Sequence, residues 1–191
     1  LVDVSRQSST KKLKGILTFV FLVIGYMKTL LILRHAKSSW KFPDLSDHDR
    51  PLNRRGKQDA PEMGRILKDR ELVPDLIVSS TATRAKDTAV AIAKHSGYKG
   101  KKTKNESLYA AEPAAYLKVI RELADDYERV LIVGHNPGVE ELIEMLTGEI
   151  HIIPTCTLAQ IEFDIDNWSD LLLQPTDRGR LVEILRPGEL E

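Results

Sequence analysis

A chain of 191 residues with 42% hydrophobic and 29% charged side chains has room for one well-filled core, so a single folded domain is expected. Lys plus Arg equal Asp plus Glu at 28 each, which excludes an overall field directed at nucleic acid or an acidic bilayer and makes any anion site local. The single Cys156 excludes an internal disulfide and a Cys-based zinc cluster, and fits a reducing compartment such as the cytoplasm. At the amino end, Lys11, Lys12 and Lys14 precede the apolar run 15–27, a pattern similar to the start of a signal peptide. The run is shorter than the roughly 20 residues that span a bilayer, and no small-x-small cleavage site separates it from Leu30. Met27 stands directly before KTLLILRH, so residues 1–26 are expected to be an upstream or flexible apolar segment outside a folded domain of residues 27–191, in preference to the alternative of a membrane anchor.

KTLLILR (28–34) reads as a short strand buried on both faces, followed by a polar loop to Asn53. Residues 57–70 carry Ala60, Met63, Ile66 and Leu67 at helical spacing; Pro61 is most comfortable in a first turn, so that helix is predicted to start or bend there. DLIVSS (75–80) is a second strand, and Thr81 the predicted N-cap of a helix whose inner face is Ala85, Thr88, Ala89, Ile92 and Ala93 and whose stop is Gly97. A Lys-rich loop leads to a helix opened by Pro113, with Tyr116, Leu117, Ile120, Leu123 and Ala124 inward. RVLIVG (129–134) is a third strand, and a helix from Val139 to Leu146 is closed by Gly148. Cys156–Phe163 and Arg180–Arg186 alternate more cleanly and lack an intervening helix, with a turn over Gln174–Gly179 and a frayed end from Glu189. The expected fold is α/β: a three-layer sandwich with a mainly parallel sheet, helices on both faces and antiparallel edge strands near the C-terminus.

In an open parallel sheet, ligands bind beyond the carboxyl ends of the strands. Arg34 and His35 leave the first strand, Ser79, Ser80 and Thr81 the second with Arg84 one turn on, and His135 and Asn136 the third. Arg84 and Gly138 also lie near helix amino ends, where free N–H groups favour an anion, so the implied ligand is a phosphate. Phosphoryl transfer needs positioning and charge clamping, which suits the planar forks of Arg34 and Arg84. One of the two histidines is expected to attack phosphorus as a neutral base, and the other to donate to a phosphoryl oxygen, the pair titrating together. Singly, Arg34 reads as a strand end, Arg84 as a solvated helix charge and either histidine as a satisfied polar group; the convergence sets them apart. His48, His95 and His151 have no such context and read as surface histidines. No His-x-x-x-His with a Glu is present, and no metal or other cofactor is expected.

LRHAKSSW (33–40) resembles the Arg-His-Gly signature of the histidine phosphatase superfamily, with Ala36 where Gly is usual and Ser38 at the Ser/Thr position. SSTATRAKDTA (79–89), LIVGHNPGVEEL (131–142) and RPLNRRGKQDA (50–60) are similar to three further segments of that family, with Thr81 replacing a Pro. The resemblance implies His35 as the phosphorylated nucleophile, with Arg34, Arg84, His135 and Ser38 around the phosphate. Larger members place a proton-donating Glu where this chain has Tyr109, Ala110 and Ala111, leaving Glu106 and Glu112 as candidate donors. Without that donor the chain resembles the small phosphohistidine phosphatases of the SixA type. The implied activity is a metal-independent phosphatase acting on a phosphorylated protein histidine. Two alternatives are a small-molecule phosphomonoesterase using Glu106 or Glu112, and a module that binds phosphorylated ligands without turnover.

Overall fold

In the computed structural model, which describes residues 27–171 and 178–189, the sheet is built outward from β1 (Met27–Arg34). Leu30, Leu31, Ile32 and Leu33 are completely buried because this strand is flanked on both edges and covered on both faces. On one edge it pairs in parallel with β4 (Arg129–Gly134), in a register that sets Arg34 against Gly134. On the other it pairs antiparallel with β5 (Leu158–Asp164). Beyond β4 lie β2 (Leu76–Ser80) and then β3 (Lys101–Asn105), both parallel to it; beyond β5 lies β6 (Arg180–Leu185), antiparallel. The sheet order is therefore β3-β2-β4-β1-β5-β6. Only β5 and β6 break the parallel pattern, as expected for segments not separated by a helix.

The alternation along β1 divides the core in two. Leu31 and Leu33 face α1 (Gly56–Asp69) and α2 (Thr83–Ser96), joining Met63, Leu67, Ala89 and Ile92. Leu30 and Ile32 face α3 (Pro113–Arg121) and α4 (Gly138–Thr147), joining Tyr116, Ile120, Leu142 and Leu146. Gly97 and Gly148 close α2 and α4 at φ of 77° and 79°, the left-handed conformation that only glycine adopts without strain.

Several expectations change. Pro61 is not in the first turn: α1 begins at Gly56 and carries Pro61 inside, its missing N–H falling next to a carbonyl on the exposed Lys57. Thr81 is not the cap of α2, whose N-cap position is Ala82 with no side-chain bond; the Thr81 hydroxyl instead meets His48 Nε2 at 3.0 Å. The Lys-rich loop contains β3, which escapes a hydrophobicity reading because an edge strand of KKTKN composition is largely exposed and carries its lysines to water. α3 ends at Arg121, and Leu123 packs on the core from the following turn. A short 3₁₀ turn, Trp168–Asp170, buries Trp168, whose indole N–H donates to Tyr127 O at 2.8 Å. Residues 1–26 and 174–177 of the expected turn lie outside the described residues. Among the described residues no helix is long and apolar enough to cross a membrane.

The loop leaving β1 is pinned against the start of α1. Asn53 N–H donates to Lys37 O at 2.9 Å, and Asn53 Oδ1 accepts from Gly56 N–H at 2.9 Å. A Cβ on Gly56 would lie 2.2 Å from Lys37 O, so this contact exists only because residue 56 has no side chain. Gly56→Ala is expected to destabilise the fold by about 1–3 kcal/mol through overpacking. The displaced loop is also expected to reduce the phosphatase turnover that the resemblance implies by more than the melting curve explains; unchanged melting and turnover would show that the loop accommodates the methyl.

Candidate active site

The parallel register brings three strand ends to one rim, because Arg34 lies beside Gly134 and Ser79 beside Val133. His35 and His135, each one residue past its strand, have ring centroids 4.9 Å apart. Both are buried, as are Arg84 and Ser38.

His35 is oriented by two bonds. Its Nδ1 lies 2.8 Å from Ala36 O, which can only accept, so the ring proton sits on Nδ1. Nε2 then presents its lone pair, and Arg84 Nε donates to it at 3.2 Å. Ala36, where the signature has Gly, is itself fully buried, with its N–H donating to Thr88 Oγ1 at 3.0 Å. His135 Nε2 is 2.8 Å from Ser80 Oγ, which already accepts from Ala82 N–H at 3.3 Å. His135 Nδ1 is buried without a partner, and in the tautomer where the Ser80 hydroxyl donates to Nε2 it is Nδ1 that carries the ring proton, free to donate. The His135 main chain is held by Tyr116, whose hydroxyl accepts its N–H at 3.0 Å and donates to Leu108 O at 3.3 Å.

Asp47 and its neighbours were not singled out by the sequence patterns. Both Nη atoms of Arg84 donate to Asp47, Nη1 to its carbonyl and Nη2 to Oδ2 at 2.9 Å. Arg50 donates to Asp47 Oδ1 at 2.7 Å and to Ser38 Oγ at 2.7 Å, and the Tyr109 hydroxyl donates to Asp47 Oδ2 at 3.0 Å. Arg84 thus keeps one N–H on each Nη for a ligand while its orientation is set. Polar loop residues have no periodicity, so the only available signal was the Asp47/Arg50 spacing after the histidine motif. His48, expected on the surface, is half-buried here, its ring 4.8 Å from Tyr109, which in turn stands edge-on to His135 at 5.6 Å. His95 bonds within its own helix to Ala91 O, and His151 bonds Glu149; neither is bonded to the histidine pair.

Arg34 lies at the opposite side of the pair. Its Nη1 donates to Ile153 O at 2.8 Å, and its Nε is buried without a partner. Asn136 Nδ2 donates to the same carbonyl at 3.1 Å. Of the candidate donors, Glu106 is exposed at the start of a 3₁₀ turn, and Glu112 is exposed along a hollow lined also by Ala111, Asn136 and Glu141. Among the described residues neither is hydrogen-bonded to the histidine pair; Tyr109 occupies that side. No group of three or more His, Cys, Asp or Glu among the described residues could hold a metal ion.

Burial sets the charge states. It lowers His35 to about 4, opposed by the Ala36 bond and assisted by Arg84, Arg34 and Arg50. It lowers His135 to about 3, assisted by His35 and Arg84. Burial by itself would raise Asp47, but the bonds from Arg50 and Tyr109 and the Arg84 charge overcome it and hold the carboxyl at about 2. At neutral pH the rim therefore offers two neutral imidazoles among cations. Both histidine values lie below the ordinary 6.5, so the unfolded chain binds more protons in this interval. Stability is fully present above pH 6.5 and falls as pH drops toward 4, at up to about 1.4 kcal/mol per unit for each group. Asp47 adds its own loss only below its ordinary value of 3.8. Thermal melts from pH 7 to 4.5 should show a steeper decline for the parent than for a His35→Asn/His135→Asn variant; equal slopes would refute the buried neutral pair.

The profile of the histidine phosphatase superfamily (branch 1) matches residues 30–109. An uncharacterised chloroplastic protein of Arabidopsis thaliana is 33% identical over 152 residues, 75% of this chain and 70% of that protein. A candidate phosphohistidine phosphatase SixA of Agrobacterium tumefaciens has a solved structure with 31% identity and a TM-score of 0.72, covering 84% of this chain and 98% of that one. The protein histidine phosphatase SixA complexed with tungstate, at 20% identity, superposes with a TM-score of 0.71 over 85% of this chain and 99% of that one.

Proposed function

The chain belongs to the histidine phosphatase superfamily, and from that premise we propose that it removes phosphate from phosphorylated histidines of proteins, with His35 as the transient carrier and no metal. The observation that carries this reading is the His35 ring: neutral, with its proton committed to Ala36 O and its Nε2 lone pair beside Arg84. In the first step Nε2 attacks phosphorus and the P–N bond of the substrate breaks, the departing imidazole taking its proton from solvent. Arg84, Arg34 and the free His135 Nδ1–H supply donors for the phosphoryl oxygens as charge spreads over them, and Ser38 braces Arg50 beneath them. A phosphate dianion would also raise the two depressed histidine pKa values, strengthening His135 as a donor once substrate is bound. In the second step water attacks phospho-His35, the new P–N bond breaks, inorganic phosphate leaves and the Nε2 lone pair is restored.

Among the described residues the carboxyl bonded into the rim is that of Asp47, which is ionised at neutral pH, so leaving groups must depart without a positioned acid. Phosphohistidine meets this condition, because its P–N bond breaks readily once the leaving imidazole is protonated. Alkyl phosphates do not, since a positioned acid contributes about 10²–10⁴-fold to their hydrolysis.

Rapid quenching with labelled substrate is expected to trap label on His35, and His35→Ala to abolish turnover while keeping the parent's fold. Label on another residue would overturn the covalent mechanism. Hydrolysis rates across a series of phosphate esters should fall steeply as leaving-group pKa rises and be indifferent to chelators. A flat series, with alkyl-phosphate turnover lost in Glu112→Gln or Glu106→Gln, would move the assignment to a small-molecule phosphomonoesterase.

A further inference from the structure

Of the eight large apolar side chains exposed among the described residues, five stand on two loops beside the histidine pair. Trp40 is 76% exposed, Phe42 52% and Leu45 43%, all on the loop after β1; Ile150 is 81% and Ile152 79% exposed on the loop after α4. Such grouping is unusual on a surface where single exposed apolar residues need no explanation.

Both loops are fastened to the catalytic rim. Arg50, which bonds Ser38 and Asp47, stacks its guanidinium 3.1 Å from the centre of the Trp40 ring. On the other side, Ile153 O accepts from Arg34 and Asn136, and Ile153 N–H donates to Glu140 Oε1 at 2.7 Å. The first loop packs on the α1/α2 side, where Ala36 and Leu52 join the core, and the second on the α3/α4 side through Ile153. The phosphate position thus lies between two apolar margins.

We propose that these margins are the docking surface for the phosphorylated protein itself, a folded partner whose phosphohistidine is flanked by apolar side chains, with acidic ones on the side that meets the first loop; this rests on the phosphohistidine reading above. The charges select that occupant. Along the first loop and the start of α1, the exposed Lys37, Lys41, Arg54 and Lys57 form no ion pair among the described residues and outnumber Asp44, while Arg50 and Arg55 are paired with Asp47 and Asp59, and Asp49 is bonded to His48. On the second side, Glu144 and Glu149 are exposed, Glu149 bonded to His151, with the Arg178 guanidinium against Gly148. A protein can answer basic charge on one margin and acidic charge on the other, whereas an anionic bilayer would be repelled by the second.

The test uses a small helical protein bearing a single histidine phosphorylated with phosphoramidate and flanked by leucine and glutamate, together with a version in which lysine replaces glutamate. Free phosphohistidine and an activated aryl phosphate serve as substrates without a surface. The parent enzyme is expected to favour the glutamate version over the lysine version and over free phosphohistidine. Phe42→Ser/Ile152→Ser is expected to lower kcat/KM on the glutamate version by about tenfold, the loss of one well-buried contact, and to leave the aryl phosphate rate unchanged. Equal rates for free and protein phosphohistidine, or a double variant with unaltered ratios, would overturn the docking surface alone. Sedimentation of the parent with phosphatidylserine vesicles, abolished in the double variant, would replace the protein by a membrane. Failure of the parent to act on any phosphohistidine substrate would refute the substrate reading, and the docking surface with it.

Discussion

The parallel pairing of β1 with β4 is the constraint on which the site depends. Its register sets Arg34 against Gly134, so the next residue on each strand is a histidine, and the two rings stand side by side without help from any loop. Parallel neighbours require a crossover, and the helices that make it cover both faces of the sheet. The four successive apolar residues of β1 are therefore as much a requirement of the site as His35 is. They anchor His35 on a rigid support, which places it more accurately than a loop could.

Burial then gives that geometry its chemistry. Rings removed from water and set among arginines resist protonation, and a neutral His35 is the form that can attack. The same arginines would repel one another across so small a rim; Asp47 is the counter-charge, bonded by Arg50, Arg84 and Tyr109. It comes from a polar loop and holds Arg84 by a side-chain and a main-chain oxygen, with Nε left for His35. The carboxylate bonded to Arg50 and Arg84 is thus a positioning anion, held too low in pKa to donate a proton at neutral pH.

The departures from the family signature are absorbed locally. Ala36 costs nothing because its methyl falls in the α1/α2 core and its N–H is taken up by Thr88. Thr81, in place of a proline, gives its hydroxyl to His48 and so joins the 44–49 loop to the end of β2. That bond and the Asp47–Arg84 bonds close the loop over the side of the site where Tyr109 stands.

Apolar runs, helical spacing and glycine stops follow from short-range physics, so β1, β2, β4, the two helix closures at Gly97 and Gly148 and the antiparallel character of the last strands were legible in the sequence. So was the convergence of Arg34, His35, Arg84 and His135, because strand ends in a parallel sheet share one rim. The edge strand β3 was not, since a strand exposed on one edge has no burial to mark it. Pro61 inside α1 and Ala82 at the start of α2 show tertiary packing overriding cap and turn preferences worth only about 1–3 kcal/mol. Asp47, Tyr109 and the Tyr116 hydroxyl belong to the site only because distant segments meet there, with separations of 37 residues from Asp47 to Arg84 and 19 from Tyr116 to His135. Sequence determined which side chains could do phosphoryl chemistry; the tertiary structure decided which charges they would feel, because desolvation and counter-charge are properties of the assembled rim.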